Sequence, residues 1–70
     1  MTLGRRYLEA ARTYALFAEI AEQSAARRRL EGHFAAACRA AHAAEGLRAR
    51  EALLRQGADA AEASDPGAPD

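Results

Sequence analysis

Alanine occupies 21 of the 70 positions, while lysine, valine, asparagine and tryptophan are absent. Alanine is the best helix former, and without valine much of the usual material of strands is gone. A chain written mostly in Ala, Arg, Glu and Leu is therefore expected to be all-α. Its helices should be thin enough to approach one another closely. The same skew leaves few side chains able to do chemistry.

Length sets the next constraint. Seventy residues make at most one domain, and after Met1 the large apolar side chains are seven Leu, one Ile, two Phe and two Tyr. Chains this small usually need a disulfide, a metal or a partner to complete a core. Cys38 is the only cysteine, so an internal disulfide is excluded. A partner chain is the most economical supplement, which points to a homodimer or to a helical protein partner. No cofactor is expected.

Charge is balanced overall but unevenly placed. All ten arginines lie in residues 1–56 beside six glutamates, giving +4, whereas residues 57–70 hold Asp59, Glu62, Asp65 and Asp70 with no base, giving −4. Neither value approaches the dense basic stripe of a dedicated nucleic-acid binder. The sequence has no apolar run of membrane-spanning length and no signal-peptide pattern, so no membrane association is expected and the location predicted is cytoplasmic. One unpaired cysteine fits a reducing compartment.

Thr2 is placed to cap a first helix, with Gly4 a weak point in its first turn. Apolar or small residues recur at Leu3, Tyr7, Ala10, Tyr14, Phe17, Ala21 and Ser24, an alternating four-three spacing that predicts one face turned toward a partner helix. Arg5, Glu9, Arg12, Glu19, Gln23 and Arg27 form the solvated face. Leu16 and Ile20 flank the stripe and widen it, so that it can touch two neighbours.

Gly32 is the predicted break. It follows Arg27-Arg28-Arg29, whose positive charge complements the negative end of a helix dipole. A second helix is expected from about His33, with Leu30, Phe34, Ala37, Ala41 and Ala44 on one side and Ala36, Ala40, Ala43, Leu47 and Leu54 in the adjoining row. Gly46 either starts a short third helix over Leu47 to Gln56 or only weakens a continuous one, and continuity is favoured. Gly57 reads as the stop. The expected organisation is thus a two-helix antiparallel hairpin over residues 1–57, completed by oligomerisation, and a disordered acidic tail over residues 58–70 that lacks large apolar side chains.

Candidate chemistry is sparse. Cys38, His42 and Glu45 share a helix face at i, i+4 and i+7, with Glu31 seven residues before Cys38, and thiolate with imidazole suits zinc or copper. Such a pair arises easily by coincidence on a helix, so no metal is assigned. His33 has no obvious catalytic partner, and a hairpin floored with alanine provides no cleft, so no enzymatic activity is expected.

The segment from Ile20 to Phe34 resembles the helix-turn-helix of repressors in its Ile-Ala and His-Phe ends. It departs where that turn needs glycine, because Ala25 stands there and the spacing is one residue short, so Gln23 to Arg29 reads as unbroken helix. The alanine-rich pair is also similar to a single tetratricopeptide-like unit, without its defining positions in register. No family is assigned.

The sequence is therefore read as a small helical protein-protein interaction or oligomerisation module, with Tyr7, Tyr14, Leu16, Phe17 and Ile20 as its partner interface. The alternative is a nucleic-acid-associated regulator using Arg27, Arg28 and Arg29.

Overall fold

The computed structural model describes residues 2–64. Two helices, α1 (Leu3–Leu30) and α2 (Phe34–Ser64), make up nearly all of this length, with no strand among the described residues. They lie antiparallel in a hairpin with extents of 53, 15 and 10 Å. No described helix is long and apolar enough to cross a membrane.

Both ends of α1 are closed by local hydrogen bonds. Thr2 Oγ1 accepts the Arg5 N–H at 3.3 Å, satisfying one of the four amides a helix start leaves open, and the Thr2 carbonyl accepts the Arg6 N–H at 3.1 Å as the first regular bond of the helix. At the other end Gly32 takes φ +82°. Its N–H donates to the Arg29 carbonyl at 3.1 Å, and the His33 N–H to that of Arg28 at 2.8 Å. This is the paired closure a left-handed glycine permits after a helix. The His33 carbonyl then accepts the Ala37 N–H at 2.9 Å. His33 thereby ends one helix and starts the next.

Inside α2 the two other glycines behave alike. Gly46 is exposed within unbroken helix, so no separate third helix forms. Gly57 does not stop α2 either, and the helix continues to Ser64 with Ala58 buried. The expected tail boundary at Gly57 is therefore corrected for residues 58–64. The remainder of that tail, 65–70, lies outside the described residues. A mid-helix glycine costs only about 1 kcal/mol, and the alanine-rich run after Gly57 gains contacts against the start of α1. A methyl group at Gly4 would lie 3.5 Å from the Ala58 carbonyl oxygen and 3.9 Å from the Ala61 Cβ, so the two backbones come close there.

The seam between the helices is built from the smallest side chains. On α1 the buried residues are Ala11, Ala18 and Ala25, and the row begins at Gly4. On α2 they are Ala37, Ala44 and Ala58. Both rows repeat every seven residues, the spacing that keeps one line of side chains facing a partner helix. Alanine lets the axes approach toward the lower end of the roughly 8–10 Å found between packed helices.

This corrects the expected stripe by one residue on alternate turns. Tyr7, Tyr14 and Ala21 do border the seam, half-buried, but Gly4, Ala11, Ala18 and Ala25 take the places expected for Leu3, Ala10, Phe17 and Ser24. Leu3 and Phe17 are left exposed, Phe17 at 54%. A close helix pair has room for a methyl group on its axis and none for a benzyl group, so the larger residues turn to the flank. Leu30 and Phe34 also fail to join α2's inner row. They sit on either side of the turn, exposed at 89% and 65%.

Candidate interaction surface

The seam rows divide the hairpin into two broad faces. Residues four positions after each row member lie on one side, and residues three positions after lie on the other. The first set is Leu8, Ala15, Glu22 and Arg29 on α1 with Ala41, Arg48, Arg55 and Glu62 on α2. The second is Tyr7, Tyr14, Ala21 and Arg28 with Ala40, Leu47, Leu54 and Ala61. One sequence pattern, offset by one residue, thus gives a charged face and an apolar one.

The charged face is closed by its own ion pairs. Arg48 reaches across the seam to Glu22 with two parallel bonds, Nε to Oε2 at 3.0 Å and Nη2 to Oε1 at 2.9 Å, while its Nη1 donates to Glu51 Oε1 at 2.9 Å. Arg55 Nε donates to Glu51 Oε2 at 3.1 Å. Glu51 occupies the seam row between Ala44 and Ala58, and its side chain is only 14% exposed. The hydrogen bond from Arg48 holds the Glu22 carboxyl below the ordinary carboxylate range. Hydrogen bonds from Arg48 and then Arg55 do the same for Glu51, and the two carboxylates push the Arg48 guanidinium up. The bidentate geometry fixes register as well as charge.

The apolar face is held by contacts of a different kind. A methyl group at Gly57 would lie 3.5 Å from Cδ2 and Cε2 of Tyr7, so the ring covers that glycine. One heptad on, Arg50 Cζ lies 5.9 Å from the centroid of the Tyr14 ring, within cation–π range. Seven residues forward along α1 correspond to seven back along α2, as an antiparallel pair requires. Tyr7, Tyr14, Leu47 and Leu54 are half-buried in this face, with Phe17 exposed at its edge and Leu16 and Ile20 farther out at 60% and 62%. The five residues expected as a partner interface are therefore split. Tyr7 and Tyr14 border the seam, Phe17 is on the rim, and Leu16 with Ile20 lie on the back of α1, turned away from the seam.

The remaining candidates do not assemble into sites. Cys38 is exposed, and His42 Nδ1 stands 3.8 Å from Glu45 Oε2 with both side chains largely in solvent. Among the described residues no three His, Cys, Asp or Glu side chains form a ligand set. Arg27, Arg28 and Arg29 are all exposed, but consecutive helical residues point in different directions, and Arg28 Nε is engaged with Ser24 Oγ at 3.1 Å.

Sequence reasoning missed three residues that shape these faces, Glu51, Leu47 and Leu54. Glu51 falls in the seven-residue alanine row, with Arg48 and Arg55 three before and four after, a spacing visible in the sequence. Leu47 and Leu54 were assigned to a row but not to the partner interface. No protein-family model matches the chain, and comparison with curated proteins and with solved structures yields no match.

Proposed function

We propose that this chain is a small helical interaction module that acts by binding rather than by catalysis, using the face of Tyr7, Tyr14, Phe17, Leu47 and Leu54. One observation carries the reading. The described residues bury only alanines fully, while on this face Tyr7, Tyr14, Leu47 and Leu54 are half-buried and Phe17 is 54% exposed; the other exposed large apolar residues are spread over the remaining surface, Leu8 among them on the charged face. Removing apolar surface from water is the main favourable term in both folding and association. A hairpin that leaves its largest side chains in solvent has most of that term still to gain. A contiguous apolar patch bordered by polar residues is also the usual mark of an interaction surface.

The test is site-specific photo-crosslinking in cells. A photoreactive phenylalanine analogue replaces Phe17 on the apolar face, and in a second strain Gln23 on the solvated face. Defined adducts from position 17 and none from position 23 are expected, whether the captured chain is this protein or another. Equal capture at both positions, or none at position 17, would remove the basis for a docking face.

A further inference from the structure

We infer that the turn of the hairpin is a second interaction surface, which meets an anionic lipid bilayer end-on through Leu30 and Phe34 and the arginines around them. It is separate from the apolar face and independent of the reading given to that face. The sequence predicts no membrane association because it has no spanning run, and no described helix is long and apolar enough to cross a membrane. Resting on a bilayer surface needs no span. Apolar side chains in the headgroup boundary and basic residues beside them suffice.

The turn brings both kinds of residue together. Gly32 reverses the chain, and every position from Ala26 to Ala35 is exposed. Leu30 is the most exposed large apolar side chain among the described residues, and Phe34 stands across the turn from it. Residues 23–44 hold Arg27, Arg28, Arg29 and Arg39 against one carboxylate, Glu31, a net charge of +3. Arg28 is tied back to Ser24. Arg27, Arg29 and Arg39 enter no ion pair among the described residues. At 1.5 Å per residue, all four arginines lie within about 8 Å of Leu30 or Phe34 along the helix axes. That is the depth over which apolar side chains enter the headgroup boundary while long basic ones stay among the phosphates.

The directions of these side chains favour a plane over a nucleic-acid strand. Counted from the seam rows, Arg28 belongs to the apolar face, Arg29 to the charged face, and Arg27 and Arg39 to the helix backs. A ring of this kind offers no single side for a phosphate backbone to follow, yet all its members reach a plane met at the tip. Phosphate contacts alone would also leave Leu30 and Phe34 in water, whereas a bilayer removes them from it. The far end of the hairpin has no matching excess, since Arg5 and Arg6 stand there with Asp59 and Glu62. A negative surface therefore draws the turn first.

The test is co-sedimentation of the full chain with phosphatidylserine–phosphatidylcholine vesicles and with pure phosphatidylcholine vesicles, with an environment-sensitive fluorophore on Cys38, the only cysteine. Cys38 is exposed, one helical turn after Phe34 and on the side away from Tyr14 and Leu47. Binding to the anionic vesicles alone, with a blue shift at Cys38, is the expected result. Each arginine near the surface is worth about fivefold, so Arg27→Gln with Arg29→Gln should weaken binding by about 20-fold. Leu30→Ser with Phe34→Ser should weaken it by about tenfold or more. All four positions are exposed, so helix content should stay as in the parent. Binding without a blue shift at Cys38 means that the hairpin lies on its apolar face, and overturns the turn as the contact. Binding untouched by Leu30→Ser with Phe34→Ser overturns the apolar tip and leaves charge alone. Failure to bind anionic vesicles overturns the bilayer as partner, and a duplex DNA titration in the same buffer then shows whether the arginines hold nucleic acid instead.

Discussion

The two broad faces of the hairpin differ by a single residue of register and behave as opposites. On the face four positions after the seam row, Glu22, Arg48 and Arg55 pair within the hairpin, two of them through Glu51 of the row itself. On the face three positions after, Tyr7, Tyr14, Leu47 and Leu54 are covered only in part. On the reading proposed above, the first face meets its polar needs within one chain and the second awaits a cover. The contrast teaches that a close alanine seam decides how near two helices come, while the residues beside it decide whether the pair is finished.

The largest effects should therefore come from the apolar face. Leu47→Glu places a charge on the face proposed to dock, and on that reading it is expected to abolish association measured by sedimentation. Leu47→Ala should destabilise the assembled protein by about 2–5 kcal/mol, the range for large-to-small changes in a closed core. If Leu47→Glu instead leaves mass and melting unchanged, the two faces are equivalent and the contrast fails.

Next in size are changes to the frame that sets the faces. Gly32→Ala forces a Cβ into a left-handed conformation and should cost about 1–2 kcal/mol in chemical denaturation. Ending the chain at Gly57 removes Ala58 from the seam and the last seven residues of α2, and a loss of more than about 1 kcal/mol is expected, beyond what surface changes usually produce. Gly46→Ala and Gly57→Ala should each stabilise by about 0.5–1 kcal/mol through helix propensity. Nothing lies within 4 Å of a methyl group at Gly46, and at Gly57 it would make ordinary contact with Tyr7.

The smallest effects belong to the charged face, where solvent screens the ion pairs. Glu22 and Glu51 have lowered pKa values, first of all through hydrogen bonds from Arg48. Their contribution is present in full above the unfolded-state carboxylate pKa of about 4.3. It is lost as pH falls from there through the lower folded-state values. Arg48→Gln should flatten this acid limb of the melting curve with little change at neutral pH. An acid limb as steep in the variant as in the parent would place the titrating pairs elsewhere.

The helical class, the cap at Thr2 and the break at Gly32 were legible because each depends on local chemistry: alanine propensity, a side-chain oxygen at a helix start, a residue without Cβ at a turn. The exact seam was less so. Two seven-residue rows lie side by side on α1, one carrying Leu3 and Phe17 and the other Gly4, Ala11, Ala18 and Ala25, and hydropathy favours the first. Steric fit against another alanine-rich helix selects the second, and that fit is a property of the pair. Gly57 misled for a related reason. A glycine marks a helix end only when nothing beyond it packs, and here Ala58 meets Gly4. The ion pairs within α2 were legible in the spacing of Arg48, Glu51 and Arg55, whereas the cross-helix partner Glu22 depends on how the two helices pair.

The central claim is that the hairpin is finished only when its apolar face is covered. Circular dichroism melts over a hundredfold range of chain concentration test it most directly. For a fold completed by association the melting temperature rises with concentration, and Leu47→Glu should lose both that dependence and much of its helix signal when dilute. A cooperative melt at one temperature across the whole range, shared by wild type and Leu47→Glu, would show that a single hairpin closes its own core and would contradict the account.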